Sequence, residues 1–262
     1  MTSERADFDQ CMAQALSEPG SCVSRFTLLD ETPSTQDAAR ELCRGEPGLL
    51  VVALRQTHGR GRLGRVWADT SHLGLAATFV LPGSLPPDVL SIACGLAAAR
   101  VCSAVTVADE RIGVRWPNDV VARREGERER KLAGVLIERA DNLYFAGIGI
   151  NVLHTREDFP PDLRDRAASL SMLGAEASRA FACVSLTLSL SRDLELAPET
   201  LASRWQALDM LIGSVRTFEH DNKRHTGTVT SIDPRGHIVL ATQNGTVTLP
   251  ALTTSMVHDG AG

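Results

Sequence analysis

The sequence predicts an α+β protein with a main domain at 26–212 and a small β-rich domain at 213–262. Two observations support this prediction. Within 26–212, short apolar runs typical of buried strands are interspersed with helical patterns. From 213 onward, short β-rich segments are separated by turn signals such as Asp233-Pro234 and Asn244-Gly245. Residues 1–25 show little periodicity, which predicts a tail or one short helix.

Each element of the main domain has a local signal. Pro33 and a candidate N-cap at Ser34 predict the start of the first helix, with Asp37 in its first turn. Pro87 and Pro198 open two further helices. The predicted strands are 49–54, 73–81, 114–116 and 144–151, with a hairpin of 120–121 and 132–138; the later predicted helices are 87–105, 179–195 and 198–211.

Composition excludes several classes of protein. With 262 residues, 43% hydrophobic and 23% charged, the chain can form a core, so global disorder is excluded. The longest apolar stretch, at about 89–99, is too short to span a membrane, and the polar N-terminus is unlike a signal peptide. The six cysteines form no CxxC pair, which favours free thiols in a reducing cytoplasm. A net charge of -5 argues against general affinity for nucleic acid.

A glycine- and arginine-rich loop follows the strand at 49–54. Residues 59–64 read GRGRLG and match the dinucleotide fingerprint G-x-G-x-x-G, but the segment leads into a second strand and not into a helix, which disfavours that type of site. Glycines let backbone amides approach a ligand closely, and Arg60, Arg62 and Arg65 add planar cations suited to phosphate or carboxylate. The loop therefore predicts an anion-binding site, with a solvated basic loop as the alternative.

Lys131 is a candidate because lysine is rare in this chain. There are 25 arginines and only two lysines, Lys131 and Lys223. A lysine supplies a compact ammonium where arginine supplies a delocalised fork, so its presence at the start of a strand favours a specific role. Lys131 also lies beside the charged segment REGERER, which leaves a solvated position as the alternative. Lys223 lies in the polar segment HDNKRH and is expected to be solvated.

Polar groups at strand ends and at a helix start complete the candidate set. WPND at 116–119 ends a strand and presents Asn118 and Asp119, although Asn and Asp are also common in structural turns. Glycines lie in the strand patterns at 134, 147 and 149, where they are costly unless something approaches closely. Ser34-Thr35 offers hydroxyls and free amides. The histidines form no metal-binding pattern, so no resident transition metal is expected.

Five motifs, in this order, resemble those of the biotin–protein ligases. They are Ser34-Thr35-Gln36, Gln56 with GRGRLGRVW at 59–67, WPNDV at 116–120, KLAGVLIE at 131–138 and GIGINV at 147–152. The resemblance covers roughly 28–152, and the β-rich tail loosely resembles the small C-terminal barrel of that family. It implies a class II synthetase-like catalytic domain at 26–212, with a mixed β-sheet flanked by helices, and a small β-barrel at 213–262.

The resemblance also implies a two-step reaction. The biotin carboxylate first attacks the α-phosphate of ATP, with Mg²⁺, and gives biotinyl-5′-AMP and pyrophosphate. A specific lysine of a biotin carboxyl carrier protein then attacks the acyl carbon, and AMP leaves. The implied partners are biotin, ATP, Mg²⁺ and the carrier protein, without nucleic acid or membrane. The alternative functions are a related enzyme that transfers lipoyl or octanoyl groups and a non-catalytic biotin-binding sensor. A homodimer is compatible with the sequence, which does not determine the oligomeric state.

Site residues carry over by position. The resemblance implies that Lys131 neutralises charge at the junction of carboxylate and phosphate, together with Arg62 in catalysis. Asp119 is a hypothetical base for the acceptor lysine, and Trp67 would help to exclude water from the mixed anhydride. The implied biotin-binding residues are Ser34, Thr35, Gln36, Gln56, Gly59, Arg60, Gly61, Arg62, Lys131 and Gly134. The implied ATP-binding residues are Arg62, Arg65, Trp67, Arg115, Asn118, Asp119, Lys131 and Asn151, and no protein residue is assigned to a metal.

Some positions depart from the family pattern. Gln36 replaces the usual Asn, His58 a small residue, Leu63 a frequent Arg, and Arg115 the usual Lys before WPND. The segment LTTSMVHDG at 252–260 is a poor match, so no nucleotide contact is carried over to the C-terminal domain. Because only residues 1–25 precede Phe26, the resemblance implies the form without an N-terminal DNA-binding domain.

Overall fold

A mixed β-sheet forms the centre of the main domain in the computed structural model, which describes residues 2–67, 72–105 and 109–257. In chain order, the strands of this domain are β1 (Arg25–Thr32), β2 (Leu49–Gln56), β3 (Gly59–Arg60), β4 (Val66–Trp67), β5 (Gly74–Pro82), β6 (Arg111–Arg115), β7 (Asp119–Arg123), β8 (Arg130–Ala140) and β9 (Leu143–Asn151). Seven of them form one sheet in the order β1-β2-β5-β9-β8-β7-β6, and β3 pairs with β4 as a small hairpin. β1 and β2 are parallel and the other neighbours are antiparallel, which confirms the expected mixed sheet.

Helices cover both faces of this sheet. They are α1 (Thr2–Ser17), α2 (Thr35–Leu42), α3 (Pro87–Val105), α4 (Arg179–Leu194) and α5 (Pro198–Ala207). Because side chains alternate between the faces of a strand, Leu50 and Phe79 join a large cluster with α3 and α4, whereas Val51 and Val80 join a smaller cluster with Ala39 of α2. The smaller cluster leaves part of the α2 face open, and this is where the cavity described below lies.

α3 is long and apolar enough to cross a membrane by length and composition alone. Two thirds of its apolar window, 67%, is buried inside the protein. Its buried residues, among them Leu90 and Ala97, belong to the large core cluster. α3 is therefore a core helix that packs on the sheet and on α4 and α5.

The N-terminal segment is one helix, which is one of the two expected forms, but it is longer than the short helix expected. α1 has 16 residues and buries Phe8, Met12 and Ala15 in the core. Its Glu4 carboxylate also pairs with the buried Arg179 of α4 at 2.7 Å. Cys11 and Leu16 pack beside these three residues. The apolar positions are few and are separated by polar ones, so the sequence shows little periodicity there.

Other differences from the sequence prediction concern the edges of elements. β1 was not predicted, because this strand pairs on one side only and keeps exposed polar residues. The strand predicted at 114–116 is β6 and ends at Arg115, before Pro117. The last helix ends at Ala207, four residues before the predicted end at 211. The hairpin around REGERER is confirmed as β7 and β8.

The C-terminal domain is a separate antiparallel sheet. Its strands are β10 (Val215–His220), β11 (Lys223–Asp233), β12 (His237–Thr242), β13 (Gly245–Pro250) and β14 (Ser255–Met256), in the order β13-β12-β11-β10-β14. The predicted turn at Asn244-Gly245 is confirmed between β12 and β13. Phe218 contacts Trp116 of the main domain edge to face, with ring centroids 6.0 Å apart. Residues 258–262 of the predicted domain, including His258, lie outside the described residues.

Candidate active site

A cavity of about 560 Å³ opens on the α2 side of the main sheet. The residues that line it come from the loop at 60–67, the start of α2, strands β5 to β9, the segment 159–167 and strands β10 and β14. Every site residue named from the sequence lines this cavity except Gly59. Gly59 lies behind the wall, where a Cβ would come within 2.6 Å of Gln56 Nε2. Its role is therefore to let the β3–β4 hairpin pack tightly against Gln56.

A row of small residues forms the floor of the cavity. Ala76 of β5, Gly149 of β9 and Gly134 of β8 are successive cross-strand neighbours, and Asp119 of β7 continues the row. The Trp67 ring lies directly on this floor: a Cβ would come within 2.6 Å of it at Gly149 and within 3.1 Å at Gly134. Gly149 is thus explained by the close approach of the indole ring, and Gly134 by that ring together with the Lys131 side chain, whose Nζ would lie 3.0 Å from a Cβ.

Gly149→Ala is expected to displace Trp67 and to lower the free energy of unfolding by about 1–3 kcal/mol, the usual cost of overpacking. Thermal unfolding and tryptophan fluorescence measure the two effects. Gly236→Ala is the matched control, because a Cβ at that position meets no atom within 4 Å. Equal unfolding temperatures and unchanged fluorescence for Gly149→Ala would contradict the assigned packing.

A chain of hydrogen bonds closes one end of the cavity. Thr35 donates its backbone N–H and its hydroxyl to Gln56 Oε1 at 2.9 and 3.1 Å, and Thr78 donates its hydroxyl to Thr35 at 2.9 Å. Ser34 is the N-cap of α2, as predicted, but its side chain makes no capping bond and lines the cavity instead. This end therefore offers hydroxyl and amide groups, suited to a neutral polar ring rather than to an ion.

The Gln36 side chain is partly used by the fold. Its Nε2 donates to the carbonyl oxygens of Leu136 in β8 and Phe145 in β9, each at 3.1 Å. Gly147 makes room for it, since a Cβ there would lie 3.1 Å from Gln36 Cδ. The amide nitrogen of Gln36 thus fastens α2 to the sheet, and only its Oε1 is left for the predicted ligand contact.

Arg60 anchors the glycine- and arginine-rich loop from outside the cavity. Its guanidinium donates to Asp37 at 2.6 Å and to Glu138 at 3.1 Å, and Arg40 shares the Glu138 carboxylate at 2.7 Å. The hydrogen bond from Arg60 lowers the pKa of Asp37. The side chain of Arg60 therefore holds the loop against α2 and β8, which leaves only its backbone for a ligand.

Arg62 extends from the loop to both domains. It donates to Asn118 Oδ1 at 3.4 Å and to the Ala251 carbonyl oxygen in the C-terminal domain. Burial lowers the pKa of its guanidinium, against the opposing effect of Asp119. Arg65 also lines the cavity. The loop thus directs two further cations towards the same space, as expected for an anion site.

Lys131, Asp119 and Arg115 form a compact ion cluster on the floor. Lys131 Nζ lies 2.6 Å from Asp119 Oδ1, and Arg115 Nη2 lies 2.9 Å from Asp119 Oδ2. Burial alone would raise the pKa of Asp119, but the two cations outweigh it and lower the pKa to about 2. Lys131 Nζ also lies 5.3 Å from the centre of the Trp67 ring. Asp119 therefore fixes both cations, and a pKa this low makes it a poor proton acceptor.

Two asparagines hold the backbone around this cluster. Asn118 Nδ2 donates to the Val135 carbonyl oxygen at 2.8 Å. Asn151 Nδ2 donates to the carbonyl oxygens of Lys131 at 3.2 Å and Ala168 at 3.0 Å. Asn151 consequently fixes the backbone from which the Lys131 side chain extends. A nucleotide contact of either residue is left to its amide oxygen, and that of Asn118 already accepts a hydrogen bond from Arg62.

Two parts of the wall were missed from the sequence. Phe159, Leu163 and Arg166 line the cavity from a loop between β9 and α4, and Glu219 and Ser255 line it from the C-terminal domain. The loop has no periodic pattern, and the end of the chain matched the family poorly, so neither gave a local signal. Cavity walls of this kind depend on tertiary packing alone.

The side chains of the cavity offer few ligands for a metal ion. No group of three or more His, Cys, Asp or Glu side chains within the described ranges could hold one. Of the carboxylates that line the cavity, Asp119 is already paired with two cations. The described residues thus do not fit a resident metal centre.

Comparison with known proteins gives a consistent set of similarities. Residues 28–152 match the model of the biotin/lipoate A/B protein ligase family. The chain is 34% identical over 220 residues to the biotin–[acetyl-CoA-carboxylase] ligase of Mycobacterium tuberculosis, which covers 78% of this chain and 77% of the relative. It is 31% identical over 229 residues to the bifunctional ligase/repressor of Bacillus spizizenii, which covers 82% of this chain and 69% of the relative.

A solved structure extends the similarity to the C-terminal domain. The biotin protein ligase of Aquifex aeolicus, in complex with biotin and ATP, superimposes with a TM-score of 0.75 at 26% identity. The superposition covers 90% of this chain and 99% of the other. This similarity confirms the expected fold class, a mixed sheet flanked by helices and followed by a small β-domain.

Proposed function

The chain belongs to the biotin–protein ligase family, and on that premise we propose that it activates biotin with ATP and transfers it to a lysine of a carrier protein. The observation that supports this most strongly is the single cavity wall shared by the polar end, the loop and the ion cluster. Such a wall can hold a neutral ring, a carboxylate and a phosphate in one line. The other readings, transfer of lipoyl or octanoyl groups and a non-catalytic sensor, have no observation in their favour.

The polar end is proposed to bind the biotin ring. Thr35 and Gln56 present a hydroxyl and a carboxamide in fixed orientations, because they already orient one another. Ser34 adds a second hydroxyl to the same wall. The acyl chain would run towards the ion cluster along the floor where Trp67 lies. Trp67 has to move from Gly149 or share this floor with the chain, and in either position its ring excludes water from the acyl carbon.

The ion cluster is proposed to support the first step. A carboxylate oxygen of biotin attacks the α-phosphorus of ATP, the new O–P bond forms, and the bond to the pyrophosphate oxygen breaks. Lys131 is placed to neutralise the negative charge that develops between the two reactants, and Arg62 and Arg115 supply further cations for the phosphates. Asp119 holds Lys131 and Arg115 in place for this purpose.

We propose that Mg²⁺ enters as part of the nucleotide substrate. Mg²⁺ is commonly held by substrate phosphates with few protein ligands. The donor set of the described residues agrees with this mode, since it offers no cage of carboxylates. The ion supplies additional neutralisation of phosphate charge when it is bound.

The proposal also covers the acceptor protein, the cellular compartment and the division of the chain into two domains. The acceptor is a biotin carboxyl carrier protein, as the names of the related ligases imply. All six cysteines are free thiols, which supports a reducing cytoplasm. The catalytic unit at 26–212 and the C-terminal domain at 213–262 are proposed to work together, because Arg62 bridges them.

The deciding experiment mixes the protein with biotin, Mg-ATP and an unmodified carrier domain. The carrier is expected to gain one biotinyl group in its mass spectrum, and only when ATP is present. A parallel reaction with lipoate in place of biotin is the control for acyl specificity. No gain of mass with biotin would overturn the proposed function, and a gain with lipoate alone would favour the acyl-transfer alternative.

A further inference from the structure

The cavity has a marked imbalance of charge. Five cationic side chains line it within the described residues, namely Arg62, Arg65, Arg115, Lys131 and Arg166, while the Arg60 guanidinium is paired with Asp37 and Glu138. Only two carboxylates do so, Asp119 and Glu219. This balance suits ATP, but it opposes the approach of a second substrate that is positively charged.

The two carboxylates differ in what they contact. Asp119 lies between Lys131 and Arg115 and is engaged on both oxygens. The Glu219 side chain makes no hydrogen bond and no ion pair among the described residues, although Arg224 is its cross-strand neighbour in β11. Glu219 is therefore the lining carboxylate that is available to a ligand.

Glu219 extends from the C-terminal sheet and not from the catalytic domain. It lies in β10 directly opposite Ser255 of β14, and both residues line the cavity. Its neighbour Phe218 is fully buried and packs on Trp116, the first residue of the WPND segment. This packing fixes the backbone of β10, so the carboxylate is held at the cavity by a rigid element.

The second step of the proposed function brings a cation to this place. The side-chain nitrogen of the acceptor lysine, after its ammonium proton has passed to solvent, attacks the acyl carbon of biotinyl-5′-AMP. The C–N amide bond forms, the nitrogen releases a second proton to solvent, the bond between the acyl carbon and the phosphate oxygen breaks, and AMP leaves with the electron pair. Before that step, the ammonium has to enter a cavity lined by cations.

We propose that Glu219 binds the ammonium of the acceptor lysine and directs it into the cavity. This inference rests on the proposed function and deepens it, because it assigns an acceptor-binding residue to the C-terminal sheet. A free carboxylate forms a charge-assisted hydrogen bond with an ammonium, and it offsets the repulsion from the five lining cations. Asp119 is not suited to bind the incoming ammonium, since Lys131 and Arg115 already engage its two carboxylate oxygens.

Glu219→Gln tests the proposal, because it removes the charge and keeps the shape. Adenylate formation is measured as biotin-dependent pyrophosphate release without carrier, and transfer is measured with a carrier domain in excess over preformed biotinyl-5′-AMP on the enzyme. Adenylate formation is expected to continue at the rate of the unaltered protein. The kcat/KM for the carrier domain is expected to fall by about tenfold, mainly through KM.

Matched variants separate a charge effect from a structural one. Asp221→Asn makes the same change of charge at an exposed turn two residues away, and is expected to leave transfer unchanged. Glu219→Asp keeps the charge and is expected to restore part of the lost transfer. Thermal unfolding of all three variants shows whether β10 is intact.

Three results would overturn the inference. The first is equal transfer by Glu219→Gln and the unaltered protein. The second is a slower adenylate step with a higher KM for Mg-ATP, which would assign Glu219 to the nucleotide or its metal. The third is an equal loss in Asp221→Asn, which would point to general charge attraction. Failure of the unaltered protein to form biotinyl-5′-AMP is a different outcome and would overturn the proposed function itself.

Discussion

Lys131→Ala is expected to slow biotin-dependent pyrophosphate release by about 10²- to 10³-fold while the fold is kept. The Lys131 ammonium is held 2.6 Å from Asp119 on the floor of the cavity, where the carboxylate and the α-phosphate would meet. Alanine removes that charge without filling the space. Since Asp119 keeps Arg115 as a partner, no carboxylate is left buried alone.

Lys223→Ala is the matched control for this prediction. It alters the only other lysine of the chain, which lies exposed at the start of β11, and full activity is expected. Circular dichroism and thermal unfolding of both variants report on the fold. If Lys131→Ala released pyrophosphate at the normal rate, the role assigned to its ammonium would be wrong.

The residues of the candidate site were more predictable from the sequence than the contacts between them. Lys131 stands out as a rare lysine, and the glycines at 134 and 149 stand out as costly residues in strands. These signals depend only on residue type and local position, so they can be recognised in the sequence alone. The contact of both glycines with the Trp67 ring is not visible in the sequence, because it joins a hairpin to two distant strands.

Polar residues that the fold itself uses were the least predictable. Gln36 and Asn151 have the chemistry of ligand contacts, yet both donate their amide protons to backbone carbonyls of the sheet. Arg60 likewise has the chemistry of an anion site and pairs with Asp37 and Glu138 instead. Sequence shows what a side chain can bind, but only packing decides whether a protein group already binds it.

The same distinction between local signals and tertiary packing applies to the elements of the fold. β2 and β5 are buried on both faces and appear as apolar runs, so they were predicted nearly to their ends. β1 lies at an edge and α1 covers the core with a narrow apolar face, so their patterns are weak. Both elements gain most of their stability from the tertiary contacts that they make and little from local preference.

Asp119→Asn is expected to impair adenylate formation and to lower the free energy of unfolding by about 2 kcal/mol at neutral pH. The carboxylate separates two cations, and asparagine would leave Lys131 and Arg115 to repel one another across a neutral amide. The loss of unfolding free energy is smaller than for a fully buried ion pair, because the Lys131 side chain is 30% exposed. Urea unfolding at pH 7 measures this loss of stability. Asp233→Asn, at the exposed end of β11, serves as the control.

The dependence on pH gives this prediction a second test. The pKa of Asp119 is lowered from an ordinary 3.8 to about 2, so its contribution is present above pH 4 and is lost as the pH falls from about 4 to about 2. The stability difference between the unaltered protein and Asp119→Asn should therefore shrink over that interval. The same pKa means that Asp119 stays ionised from pH 5 to 9 and adds no acid limb to the rate of transfer. An acid limb in that range that is abolished by Asp119→Asn would show instead that Asp119 is the base for the acceptor lysine.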